Sequence, residues 1–332
     1  MAEPSVSLED IDAMETLGDI ARHHGEGRPD TIAFRFEGRE TTFRDFDRHT
    51  NQVAHALIAS GVKKGECVAY YGKNSDHYFE LLMGASKVGA IMAPIGWRLS
   101  SAEAGYIASN AEAKLLFVGA ECMPQASAIE SAPPIIAMEG AAPNFESWRD
   151  AQSDTDPGRL SSANDTVVLL YTSGTTGRPK GVMLTSANII ASRRGLRAMN
   201  LDWGIWDMGD TSLVAMPIAH IGGTGWGVVG LLAGITGIVT REFDPTHVIQ
   251  HLSLDGIAKL FMVPAALQFV IRLPGAREAN YSKLRQIYYG AAPIPVELLR
   301  ECMDVFGCEF VQQYGLTETC GTIVYLPPED HD

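Results

Sequence analysis

The chain has 332 residues, 46% of them hydrophobic and 20% charged, which is the balance of a folded protein and not of a disordered one. With 26 basic and 40 acidic side chains its formal charge is −14, which argues against a nucleic-acid partner because phosphate backbones reward basic surfaces. The five cysteines, at 67, 122, 302, 308 and 320, show no paired short spacing, so they read as reduced thiols of a cytoplasmic protein and not as a disulfide framework or zinc site.

The acidic N-terminus lacks the basic and apolar segments of a secretion signal. Residues 31–36 predict a strand, followed by a turn at Gly38. A helix is expected from Phe43 to Ser60, with Phe46, Val53, Ala54, Leu57 and Ile58 on one face and Gly61 closing it. Further strands are expected at 68–71, 90–94 and 114–118, with helices at 76–88 and 100–110. From 123 to 164 the chain is richer in Ala, Pro, Ser and Asp, which places a boundary near residue 160. A first α/β subdomain would then cover 1–160 and a second 161–332.

The alternation resumes with a strand at 166–171, and Thr185 or Ser186 can cap the next helix. Strands near 212–215, 237–240, 259–263 and 286–289 alternate with helices beginning near Gly222, Pro245, Pro264 and Pro295. Asp244 and Pro245 form an N-cap and first-turn pair. Residues 211–240 contain no Asp, Glu, Lys or Arg, but Pro217, His220 and seven glycines interrupt them, so a buried core segment is expected and not a transmembrane one. Repeated βα units predict an α/β fold of mainly parallel sheets covered by helices, with ligands at the carboxyl ends of strands.

The most informative stretch runs from Tyr171 to Val182, YTSGTTGRPKGV, directly after the apolar run 167–170. It gathers the hydroxyls of Thr172, Ser173, Thr175 and Thr176, the glycines 174, 177 and 181, and Lys180. Glycines let the backbone turn and approach a ligand closely, amide and hydroxyl donors can surround phosphate oxygens, and the lysine adds a mobile charge. A polyphosphate loop is therefore expected. It is not a Walker loop, because Arg178 and Pro179 separate Gly177 from Lys180 and Gly181 follows.

These residues resemble the phosphate loop of the adenylate-forming enzymes, and later segments agree in order: Ala215–His220 resembles the Pro-x-x-His motif, Tyr289–Pro293 the adenine-side loop, and Tyr314–Glu318 the Tyr-Gly-x-Thr-Glu motif. The resemblance runs from about Thr16 onward and covers the N-terminal part of that fold. It implies that Thr172, Ser173, Gly174, Thr175, Thr176, Gly177 and Lys180 hold the ATP phosphates. It implies an adenine and AMP site at Gly290, Ala291, Ala292, Pro293, Gln312, Tyr314, Gly315 and Thr317, with Thr317 donating to the α-phosphate and Glu318 ligating Mg²⁺. His220 would lie beside the acyl carboxylate and gate the acyl pocket. Gly222, Gly223, Trp226 and Gln313 would line that pocket, although the small residues after His220 suit close helix packing equally well. Gln313 departs from the family, where a small residue commonly stands, and would shorten or polarise the pocket.

The function so implied is activation of a carboxylic acid, first a medium or long fatty acid and second an aryl acid, by ATP to an acyl-adenylate and then to acyl-CoA. Expected partners are the acid, ATP and CoA, with a homodimer as a candidate assembly. The family's ribose-binding aspartate, hinge and lysine-bearing C-terminal domain find no match, so the chain is expected to catalyse little of the full reaction alone. Two alternatives stay open: an adenylation domain that loads a carrier protein, and a non-catalytic nucleotide-binding module. His247 with His251, and Arg193 with Arg194 and Arg197, read as solvated helix faces, and Trp97–Ser100 as a helix start resembling a family motif.

Overall fold

Short apolar runs become strands and the amphipathic stretches between them become helices, in the alternation the sequence predicts. The computed structural model describes residues 4–173 and 177–331. In chain order the strands are β1 (Ile32–Phe36), β2 (Arg39–Thr42), β3 (Cys67–Gly72), β4 (Ile91–Gly96), β5 (Leu116–Val118), β6 (Ile135–Ala137) and β7 (Thr166–Thr172). They continue with β8 (Lys180–Thr185), β9 (Thr211–Val214), β10 (Thr236–Val239), β11 (Ile257–Met262), β12 (Gln286–Gly290), β13 (Glu309–Leu316) and β14 (Gly321–Leu326).

Two sheets result. A six-stranded sheet has the order β6-β5-β3-β4-β7-β8, and an eight-stranded sheet the order β14-β13-β12-β11-β9-β10-β1-β2. Interior pairings are parallel, and the antiparallel pairs β7–β8, β1–β2 and β13–β14 lie at sheet edges. β3, β11 and β12 are buried along their whole length, as parallel strands covered on both faces must be.

Sheet membership does not follow a cut at residue 160. β1 and β2, from the first part of the chain, complete the eight-stranded sheet, while β7 and β8, beyond residue 160, complete the six-stranded one. The physical reason is edge pairing: β1 finds a parallel partner in β10, and β7 finds one in β4.

The helix Asp76–Val88 ties the sheets together, packing on β4 and β7 of one and β1 of the other. Ser75 caps its start and Gly89, in left-handed conformation at φ 73°, ends it. Every residue of this helix is buried, including the charged Asp76, Glu80 and Lys87. Glu80 is met by Arg149 at 2.5 Å and by His49 Nδ1 at 2.8 Å, and Lys87 Nζ reaches Asp47 at 2.6 Å. Burial would raise the Glu80 pKa, but the His49 hydrogen bond and the charges of His77 and Arg149 overcome it and lower it. The uncharged stretch 211–240 forms β9, the helix Ile221–Leu232 and β10 in the core, and among the described residues no helix is long and apolar enough to cross a membrane.

Candidate active site

The glycine- and hydroxyl-rich loop is the connection of a hairpin. Thr172 ends β7 and pairs with Lys180, which begins β8, and Tyr171 pairs with Gly181. Ser173 and Lys180 are exposed, so loop donors and the lysine charge face open space. Gly177 has φ 82°, a conformation that a side chain disfavours. Gly174, Thr175 and Thr176 lie outside the described residues.

Two contacts brace the hairpin from the first part of the chain. Tyr171 donates its hydroxyl to Asn110 at 2.8 Å, and Tyr106 donates to the Pro179 carbonyl at 3.3 Å. Tyr106 also lies under the Arg178 guanidinium, 5.8 Å from ring centre. Neither residue stood out in the sequence. Each sits on the helix Ser101–Asn110, and only the parallel stacking of β4 beside β7 brings that helix to the loop.

The Thr-Glu motif arrives from the other sheet. β13 runs beside β12 with Gly290 opposite Gln313, then continues through Tyr314 and Leu316 into a turn that starts at Thr317. The result places Glu318 Oε1 at 3.4 Å from the Thr172 hydroxyl, so the hairpin and the Thr-Glu turn meet across the gap between the sheets. Glu318 is exposed, and among the described residues Thr172 is its one hydrogen-bond partner. Its open carboxylate oxygens suit a hard cation such as Mg²⁺, which takes one or two carboxylates and completes its shell with phosphates and water. The described residues contain no cluster of three or more acidic, His or Cys groups, so a cation here would depend on ligand oxygens.

The adenine-side residues are neighbours as expected. Gly290 is buried, and a Cβ there would stand 2.2 Å from the Gln313 carbonyl, so only glycine allows the two strands their spacing. Ala292 and Pro293 are exposed at the strand end, Gln312 is half-buried in β13, and Tyr314 presents a ring that is 62% exposed. Ala291, at φ 65°, lines the cavity beside Gln313. Gly315 packs so closely on β14 that a Cβ would meet the Gly321 carbonyl at 1.7 Å.

His220 is held from both sheets. Asn74, after β3, donates to the carbonyls of Met216 at 3.2 Å and Thr240 at 3.0 Å, and accepts from Ile218 N–H at 3.0 Å. Those bonds fix the segment that ends in His220, the N-cap residue of the helix Ile221–Leu232. Its imidazole faces a cleft of about 880 Å³, walled also by Trp97, Tyr106, Thr172, Arg178 and Pro217. His220 is exposed to the cleft, and partial desolvation by its walls holds its pKa below the ordinary histidine value, which favours the neutral ring. A neutral imidazole can donate to a carboxylate without forming a competing ion pair.

A second cavity of about 120 Å³ lies along the same helix, bordered by Gly222, Trp226, Phe261, Gln313, Tyr325 and Arg193. Gly222 opens toward it beneath the Phe261 ring. Gly223 does not line it: a Cβ there would collide with the Pro217 carbonyl at 2.3 Å, so its role is close helix packing. Gly227 likewise faces the Phe79 ring at 2.2 Å. The basic cluster is likewise not a uniform solvated face. Arg194 pairs with Asp12 at 2.6 Å and Arg197 donates to the Val6 carbonyl at 3.2 Å, whereas Arg193 borders this cavity and also a smaller one beside Val6 and Trp206. His251 pairs with Asp255 at 2.7 Å on the helix Pro245–Leu254.

A cleft between two sheets, with a glycine- and hydroxyl-rich hairpin on one side and a Thr-Glu turn on the other, is the layout of the adenylate-forming fold. The sequence profile of the AMP-binding enzymes matches residues 21–332, and the chain belongs to that family. It is 39% identical over 96% of its length to a fatty acid–acyl-carrier-protein ligase of Streptomyces coeruleorubidus, and 31% identical over 96% to a long-chain-fatty-acid–CoA ligase of Mycobacterium tuberculosis. A solved Mycobacterium tuberculosis fatty acyl CoA synthetase superposes with a TM-score of 0.86 at 27% identity, covering 96% of this chain and 63% of that one. The chain spans 61% and 63% of the lengths of the two curated relatives.

Proposed function

We propose that the cleft activates a carboxylic acid with ATP, forming an acyl-adenylate and releasing pyrophosphate, and that the acyl group then passes to a thiol with release of AMP. The observation that carries this reading is the meeting of Thr172 and Glu318, which sets phosphate donors and a cation-binding carboxylate around one space. The substrate carboxylate attacks the α-phosphorus and the bond to the β-phosphate breaks, so two anions must be brought together. Positioning and charge neutralisation carry most of such a step.

In this arrangement Thr172, Ser173 and Lys180 hold the outgoing phosphates, and Thr317 donates to the α-phosphate. Tyr314 stacks on the adenine, with Gly290 to Pro293 on its other side. Glu318 would hold a magnesium ion, which would neutralise phosphate charge when bound. Neutral His220 orients the acid beside the α-phosphate, and Trp97 and Tyr106 narrow the cleft and exclude water. Calorimetry tests the reading: a non-hydrolysable acyl-sulfamoyl-adenosine should bind one to one and exclude ATP. Independent binding of the two compounds, or of neither, would contradict it.

The acceptor thiol is either CoA or the phosphopantetheine arm of a carrier protein. The 39% identity to a carrier-protein ligase supports the second over the first. Thioester assays offering each acceptor in turn separate them.

A further inference from the structure

The cavity beside the Ile221–Leu232 helix has walls that a plain alkyl chain would not require. Ile189, Val229 and Phe261 give apolar surface, yet Arg193, Gln313 and Thr322 stand among them and no carboxylate does. Arg193 is half-buried, and among the described residues it has neither an acidic partner nor a hydrogen-bond acceptor. Its Nε is closed off from solvent without a partner, and so is the indole N–H of Trp226 in the same wall. Those two atoms are out of a ligand's reach, but the terminal guanidinium nitrogens of Arg193 are not closed off and have no acceptor among the described residues, so they are open to one supplied in the cavity. A guanidinium matches a carboxylate in geometry as well as charge, since its fork can engage both oxygens. At about 120 Å³ the cavity is also small for an acyl tail.

We infer that the acid taken up here is short and carries an oxygen acceptor at its far end, in the favoured case a second carboxylate, read by Arg193 with Gln313 beside it. This rests on the adenylation reading above, and it adds what the tail must be.

Calorimetry of the chain with paired acyl-sulfamoyl-adenosines tests it, one with a pentanoyl tail and one with the chain-matched glutaryl tail. The glutaryl compound should bind at least about tenfold more tightly. Arg193→Met, which keeps the packing stem, should abolish that preference and leave pentanoyl binding unchanged. Gln313→Leu, a second variant that leaves the guanidinium in place, should narrow the preference. Equal or weaker binding of the glutaryl compound overturns the inference while pentanoyl binding keeps the adenylation reading standing. Failure of both compounds on a chain that melts cooperatively overturns that reading and the inference with it.

Discussion

Thr172 donates its hydroxyl to Glu318 at 3.4 Å, although 146 residues separate them in the chain. The distance is long for such a bond, so the two groups stand side by side without being locked. They belong to different sheets: Thr172 ends β7 of the six-stranded sheet, and Glu318 follows β13 of the eight-stranded one. Packing of the two sheets about the Asp76–Val88 helix therefore brings Thr172 and Glu318 together, and neither sheet contains the proposed nucleotide site alone. Glu318→Gln should cost about tenfold in ATP affinity with magnesium present and nothing without it. Calorimetry with and without the ion reads this; equal magnesium dependence in both proteins would count against Glu318 as a ligand.

Glycine at 315 is set by strand spacing, since a Cβ would stand 1.7 Å from the Gly321 carbonyl. Gly315→Ala should destabilise by about 3 kcal/mol. Gly195, inside the helix Ser186–Ala198, has open space where its Cβ would go. Gly195→Ala should stabilise by about 0.5–1 kcal/mol. Urea unfolding of both variants decides the matter by the sign of each change.

The buried pair of Glu80 and Arg149 gives a third expectation. Arg149→Met strands a carboxylate in the core and should cost about 3–5 kcal/mol. Adding Glu80→Gln removes the stranded charge and should recover most of the loss. A double variant no more stable than Arg149→Met would show that the arginine acts through packing alone.

His24 is fully buried against the Leu232 carbonyl at 3.2 Å, and desolvation, aided by the Arg28 charge, lowers its pKa to about 3. The unfolded chain binds that proton near pH 6.5, whereas the folded chain holds off until about pH 3. Stability is therefore full above pH 6.5 and falls as the pH drops through that window, by about 2 kcal/mol between pH 7 and pH 5. His220, lowered by desolvation, acts with the same sign. Denaturation at the two pH values should show the fall, and His24→Gln should flatten it. An unchanged slope in the variant would assign the effect elsewhere.

Local signals made much of this legible in the sequence. The Asp76–Val88 helix matches its predicted span, and Asp244 accepts from the N–H groups of Thr246 and His247, as an N-cap before Pro245 should. The core strands β9 to β12 lie where apolar runs placed them. β8 was not legible, because Lys180 to Thr185 reads as loop until β7 offers an edge, and the same holds for β14 beside β13. Sheet membership does not follow a cut at residue 160, because exchange of edge strands between the sheets leaves no mark in composition. Of the candidate site, Thr172 and Glu318 stand side by side and Gly290 lies opposite Gln313, whereas Gly223 packs on Pro217 and Gly174, Thr175 and Thr176 lie outside the described residues. Tyr106 and Asn110 were missed, and Arg193 was read as part of a solvated helix face, since their surroundings depend on which distant element packs against a helix that itself looks ordinary.

The most direct test of the account is a crystal of this chain soaked with ATP and magnesium. The β- and γ-phosphates should lie within the hairpin from Thr172 to Lys180, the adenine against Tyr314, and the metal on Glu318. A nucleotide bound away from that hairpin, with Glu318 contacting neither metal nor phosphate, would contradict it.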